Sequence, residues 1–104
     1  MLSFEQVLDV FADYIYEDTE CEIFVSRYGY TVMLWDERGK EWSSVEHCTT
    51  PIELKNELLK SYEAFIDWQL TKHRDTQEEK DKRGIELAIE RRLKQFEKYQ
   101  TVDS

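Results

Sequence analysis

Zinc prefers soft ligands, and four side chains of this 104-residue chain are of that kind: Cys21, His47, Cys48 and His73. Zinc sites are usually built from four Cys and His ligands that the chain supplies as close pairs. Only His47 and Cys48 are adjacent, and no Cys-x-x-Cys pair occurs. Our metal hypothesis is a zinc site that uses His47 or Cys48 with nearby carboxylates or with His73. The alternative is one buried cysteine, one cysteine at the end of a strand and two surface histidines.

A second group combines carboxylates with tyrosines. Residues 12–22 read ADYIYEDTECE, in which five of the eleven residues are acids, and the first Lys or Arg of the chain is Arg27. Tyrosine buries a large area at an interface and keeps a polar tip, and closely spaced carboxylates attract a basic surface. We predict a partner-binding surface formed by Asp13, Tyr16, Glu17, Asp18, Glu20 and Glu22. The alternative is a solvated acidic face that only keeps the protein soluble.

Motifs for catalysis or nucleotide binding do not occur. The chain contains no GxSxG, no P-loop and no GxGxxG. His47 directly precedes Cys48, and neighbouring strand residues point to opposite faces, so this His is badly placed to activate this Cys. The acids Asp9 and Asp13 lie on the polar side of a helix. We therefore do not expect an enzyme.

The net charge of −9 is distributed unevenly. Residues 1–70 hold fifteen acids and five bases, a net of −10, and residues 71–104 hold eight acids and nine bases, a net of +1. Strong negative charge repels nucleic acid and anionic membranes and attracts basic protein surfaces. We expect a basic protein partner, without direct binding to nucleic acid or membrane. The start of the chain lacks the basic and apolar regions of a signal peptide, which predicts a cytoplasmic protein.

Hydrophobic periodicity predicts one helix followed by three strands. Ser3 is placed to cap a helix over residues 4–17. Residues 21–28, 30–35 and 41–47 are rich in β-branched and aromatic side chains, which favour strands. Short turns join them, so an antiparallel meander is expected, and the turn at 36–40 offers Gly39 for a positive φ.

The core-facing side of this sheet has two candidates. One is Ile23, Val25, Met33 and Trp35, and the other is Phe24, Val32 and Leu34. Both sets are apolar, so the sheet is either covered on both faces or has one adhesive face.

Two further helices complete the chain. Thr50, Pro51 and Glu53 form the clearest helix start, a capping box with Pro at the first helical position. An apolar stripe follows over residues 54–70, and Trp68 lies at its edge. After a turn at 71–76, a last helix over 76–99 carries charges that include Arg91 and Arg92, a pattern typical of a solvated, salt-bridged face.

The predicted fold class is therefore α+β: a helix, a three-stranded antiparallel meander and two C-terminal helices. Residues 1–104 form one domain, and residues 101–104 are expected to be a flexible tail.

This element order, in a short acidic chain, resembles some type II-A anti-CRISPR proteins of phages and mobile elements. The resemblance covers most of residues 3–99 and depends on element order and charge, without a shared motif. It implies a small inhibitor that occupies a basic nucleic-acid surface of Cas9 or blocks its moving lobes. The long charged last helix and the His47–Cys48 pair depart from this pattern.

Three functional hypotheses follow. The first is a protein-binding inhibitor that presents carboxylates to a basic partner, such as Cas9, and blocks DNA loading. The second is a structural or regulatory interaction module stabilised by zinc. The third is a homo-oligomeric domain that uses the helices at 54–70 and 85–99 as a contact face.

Overall fold

The computed structural model describes residues 2–72 and 78–100. Within these ranges the elements follow in the order α1 Phe4–Val10, α2 Ala12–Glu17, β1 Cys21–Ser26, β2 Gly29–Asp36, β3 Glu41–Cys48, α3 Pro51–Thr71 and α4 Glu79–Gln100. The predicted α+β class, with its antiparallel meander and two C-terminal helices, is confirmed. Most of the predicted turn at 71–76 and the whole predicted tail at 101–104 lie outside the described residues.

No helix in the described part of the chain combines the length and the apolar character that crossing a membrane requires.

The predicted first helix is present but divided in two. Ser3 Oγ accepts a hydrogen bond from the Gln6 amide at 3.2 Å, and Gln6 Oε1 accepts one from the Ser3 amide at 2.9 Å, which completes the capping box. Phe11 interrupts the helix with φ −99° and ψ 8°. The Ile15 amide still donates to the Phe11 carbonyl at 2.9 Å, so helical hydrogen bonds resume directly after the break.

The three strands lie in the order β1-β2-β3, with antiparallel neighbours. The β1–β2 hairpin closes through the pair Ser26 and Gly29, and Gly29 has φ 128°. In the second turn the expected positive φ at Gly39 is wrong, because Lys40 takes that conformation with φ 54°. The left-handed residue thus lies directly before β3, while the Asp36 side chain accepts a hydrogen bond from the Arg38 amide and closes the turn earlier.

Neither predicted set of core-facing residues was right, because the register pairs Ile23 with Val32. Paired residues point to the same face of a sheet, so β2 contributes the alternate residues to each set. The face toward the helices carries Cys21, Ile23, Tyr30, Val32, Leu34 and Cys48. The outer face is partly exposed and aromatic; it carries Phe24, Met33, Trp35, Trp42 and Val45.

The helices cover one face of the sheet. The capping box at the start of α3 is confirmed, since the side chains of Thr50 and Glu53 exchange hydrogen bonds with each other's amides. Helix α3 packs against β2, β3 and α1, and α4 packs against α3 and α1. The buried core consists of Val7, Val10, Phe11, Tyr14, Cys21, Val32, Cys48, Leu54, Leu58 and Phe96.

We predict that Gly29→Ala lowers the free energy of unfolding by about 1–3 kcal/mol, the usual cost of a strained backbone conformation. A Cβ at this position would lie 2.3 Å from the Cys48 carbonyl oxygen, and φ 128° is unfavourable for alanine. Urea unfolding followed by circular dichroism measures the change.

The control is Gly84→Ala in α4, where a Cβ would meet only the Leu70 side chain at 3.2 Å. Alanine favours a helix over glycine by about 1 kcal/mol, so this variant should be as stable as the wild type or more stable. Equal stability of the two variants would contradict the role assigned to Gly29.

Candidate functional site

The predicted partner-binding residues fall where α2 ends and β1 begins. Three of them lie in α2, two in the turn and one in β1. Tyr16 is 89% exposed, and Glu17, Glu20 and Glu22 are also exposed. We call residues 16–22 the acidic segment. These four exposed side chains meet what a contact surface requires. The other two predicted residues, Asp13 and Asp18, have hydrogen-bond partners inside the chain.

Asp13 forms a salt bridge with Arg92 of α4. The guanidinium donates to Asp13 Oδ1 at 2.6 Å and to Oδ2 at 3.3 Å, and also to the Val10 carbonyl at 2.7 Å. The Arg92 side chain is 7% exposed, although the sequence pattern placed it on a solvated face, and that expectation is wrong. Its guanidinium carbon lies 4.3 Å from the Tyr62 ring centre. The hydrogen bond from Arg92 lowers the pKa of Asp13 below its usual value.

Asp18 fixes the turn after α2. Its Oδ2 accepts the hydroxyl of Tyr14 at 2.7 Å, and its Oδ1 accepts the amide of Glu20 at 3.1 Å. Tyr14 is 1% exposed, and burial raises the pKa of its hydroxyl, so the group stays a donor. A buried phenol needs such an acceptor. Asp13 and Asp18 therefore have structural roles that the sequence pattern did not show.

The other acids of residues 12–22 are Glu17, Glu20 and Glu22. Within residues 2–72 and 78–100, no Lys, Arg or His forms an ion pair with any of them. Like charges at close spacing raise the local negative potential when no base offsets them. These three glutamates are thus the part of the acid run that is available to a partner.

A groove opens beside the acidic segment, between α3 and the edge of the sheet. Its volume is about 500 Å³. Helix α3 supplies one wall with Phe65 and Trp68, whose rings are stacked with centroids 6.5 Å apart. The opposite wall comes from the end of β2, where Leu34 lies on the helix-facing side and Trp35 on the outer side, so the groove extends past the end of the strand. Glu17, Asp18 and Glu20 form the rim, so an aromatic groove lies under a negative edge.

The aromatic residues of this groove were not predicted as site residues. Trp35 and Trp68 are 33 positions apart in the chain, and only the packing of α3 on the sheet brings them to one groove. One signal was available: Trp68 lay at the edge of the apolar stripe of its helix, and it is 58% exposed. A large aromatic side chain at such an edge often marks a contact surface.

The predicted metal ligands do not converge within the described residues. His47 is exposed; its Nδ1 lies 3.1 Å from Thr31 Oγ1 and its Nε2 lies 3.1 Å from the Tyr28 carbonyl oxygen. Cys48 points into the core, so the two neighbours lie on opposite faces. His73 lies outside the described residues. Among the described residues, no three His, Cys, Asp or Glu side chains are grouped as a metal site would require.

The two cysteines are free thiols at opposite ends of the sheet, since Cys21 pairs with Leu34 and Cys48 with Tyr30. Burial raises the pKa of each thiol to about 11. A protonated, buried thiol is a poor nucleophile and a poor metal ligand.

Comparison of the chain with protein-family models, with curated proteins and with solved structures found no significant match.

We predict that Asp13→Asn lowers the free energy of unfolding by about 1–2 kcal/mol at pH 7. Removing one partner of a fully buried ion pair costs about 3–5 kcal/mol, and the value is smaller here because the Asp13 side chain is 67% exposed. The contribution of Asp13 should be present above its usual pKa of 3.8 and should disappear as the pH falls through its lowered folded-state pKa. Urea unfolding at a series of pH values tests both effects.

The control is Glu17→Gln, which removes an unpaired carboxylate from the same helix and should change stability by less than about 0.5 kcal/mol. The difference between Asp13→Asn and the wild type should narrow in acid. A variant as stable as the wild type at pH 7 would show that Val10 and Tyr62 alone stabilise Arg92.

We also predict that neither thiol reacts rapidly with Ellman's reagent in the native protein at pH 7.5. A pKa of about 11 leaves a thiolate fraction below about one in a thousand, and both thiols are buried. In concentrated urea both should react at once, which serves as the control. A fast native reaction of one thiol would show that this cysteine is accessible and would favour its use as a ligand.

Proposed function

We propose that this protein is a small acidic inhibitor that binds the basic surface of a nucleic-acid enzyme, of the Cas9 type, and blocks loading of DNA. The observation that carries the proposal is the acidic segment, in which Glu17, Glu20 and Glu22 are exposed and have no base beside them in the described part of the chain. RNA-guided nucleases hold their nucleic acid in a positively charged channel. A compact anionic protein competes for such a channel through the same charges.

The neighbouring tyrosine supports contact rather than mere solubility. Tyr16 is 89% exposed and lies directly before Glu17. Solubility needs charge but no exposed aromatic ring, whereas an interface gains from one, since aromatic side chains are enriched among the residues that dominate binding energy. The charges speed association and orient the partner, and the ring supplies buried area.

Residues 1–70 carry the negative charge that this role requires, with a net of −10. The corresponding place of action is the cytoplasm, where a Cas9-type enzyme meets its DNA. The resemblance to type II-A anti-CRISPR proteins in element order and charge supports the same proposal. The partner is a protein, and the chain itself is not expected to bind nucleic acid or membrane.

The test is cleavage of target DNA by Cas9 in vitro, with this protein in excess, at low and at high salt. We expect inhibition at low salt and weaker inhibition at high salt, because surface charges are screened over about 10 Å at 0.1 M salt. The triple variant Glu17→Lys, Glu20→Lys and Glu22→Lys should weaken inhibition at least about tenfold. Asp13 and Asp18 are left unchanged because they support the fold.

The matched control reverses three exposed glutamates of α4 and changes the net charge equally: Glu86→Lys, Glu90→Lys and Glu97→Lys. This control should still inhibit. An equal loss in both triple variants would show that net charge acts without a defined surface. Absence of inhibition by the wild type at low salt would remove the proposal for the Cas9 tested.

A further inference from the structure

The groove beside the acidic segment combines aromatic walls with a negatively charged rim. Its walls are aromatic, with Trp35 on the sheet side and Phe65 and Trp68 on the helix side. Its rim is anionic, with Glu17 and Glu20. A volume of about 500 Å³ lies within the range of about 300–1,000 Å³ that ligand pockets occupy.

This combination selects for an organic cation. The face of an indole ring attracts a cation through its negative quadrupole, and the attraction grows when water is excluded. The carboxylates at the rim attract the same charge at longer range. A neutral apolar side chain would fill the walls but leave the negative rim without a partner, and an anion would be repelled.

One of the aromatic rings that line the groove already contacts a cation. The Lys72 ammonium lies 5.4 Å from the centre of the Trp68 ring. Lys72 itself is exposed and is not among the residues that line the groove. A guanidinium is planar and less strongly hydrated than an ammonium, stacks on aromatic faces and binds carboxylates with two donors. Arginine therefore fits the groove better than lysine does.

We propose that the groove receives an arginine side chain from an extended segment of the protein partner. The guanidinium stacks on the aromatic walls at Trp35 and Trp68, and Glu17 and Glu20 pair with it at the rim. This inference rests on the proposed function, which it deepens by naming the group on the partner that the surface recognises.

The test is a titration of ¹⁵N-labelled protein with the blocked peptide Ac-Gly-Ser-Arg-Ser-Gly-NH₂, observed by NMR. Trp35, Trp42 and Trp68 supply all three indole N–H signals. Trp35 and Trp68 line the groove; Trp42 does not line it, and its ring centre lies 5.0 Å from that of Trp35. We expect the peptide to shift the signals of Trp35 and Trp68 most. The matched peptide with citrulline in place of arginine keeps the shape, lacks the charge, and should shift none of them.

Two variants locate the contact. Trp68→Ala should weaken peptide binding about fivefold or more, as expected for loss of a partly desolvated cation–π contact, and the exposed position of Trp68 leaves the fold intact. Tyr28→Ala, which removes an exposed aromatic ring from the β1–β2 turn at the end of β2 opposite Trp35, should bind as the wild type does. Equal shifts with arginine and citrulline, unchanged binding by Trp68→Ala, or a shift of Trp42 without a shift of Trp68 would each overturn the groove assignment.

The cleavage assay separates this inference from the proposed function. If Trp68→Ala inhibits as well as the wild type while the Glu17, Glu20 and Glu22 reversal does not inhibit, the acidic segment is the contact and the groove proposal fails alone. If the wild type does not inhibit, the proposed function fails for that enzyme, and the peptide titration still decides whether the groove binds arginine.

Discussion

The buried guanidinium of Arg92 connects the last helix, α4, to the first two helices. Arg92 of α4 donates to the Val10 carbonyl and to the Asp13 carboxylate, and it lies over the ring of Tyr62 from α3. A charge inside a protein is costly unless it is paired and its hydrogen bonds are satisfied. Sliding α4 by one turn would remove all of these partners at once, so this one side chain sets the position of α4 against α1 and α3.

The same interaction explains part of the acid run. Five acids within residues 12–22 repel one another, and those near the end of a helix also oppose its dipole. Arg92 compensates Asp13, and the Tyr14 hydroxyl with the Glu20 amide compensates Asp18. No such partner meets Glu17 or Glu20 in the described ranges, 2–72 and 78–100. One short run thus both holds the fold and presents charge, and this division supports the acidic segment as a contact surface.

Features that depend on a few neighbouring residues were predictable from the sequence. The capping boxes at Ser3 and at Thr50 and the meander follow from local hydrogen bonding and from periodicity. Which face of the sheet packs against the helices was not predictable, because a register change of one residue exchanges every side chain between faces. The exposed glutamates of the candidate site were visible in the sequence, whereas its aromatic walls, such as Trp68, come from an element far along the chain.

The sequence by itself determined the α+β order, the helix starts and the concentration of negative charge in residues 1–70, since each depends on residue type and short spacing. Only the tertiary structure decided which acids are free and which are paired. An ion pair such as Asp13 with Arg92 joins residues 79 positions apart, and a groove forms only where distant elements meet. Residue type sets what a side chain can do, and its surroundings in the folded chain decide which of those possibilities it uses.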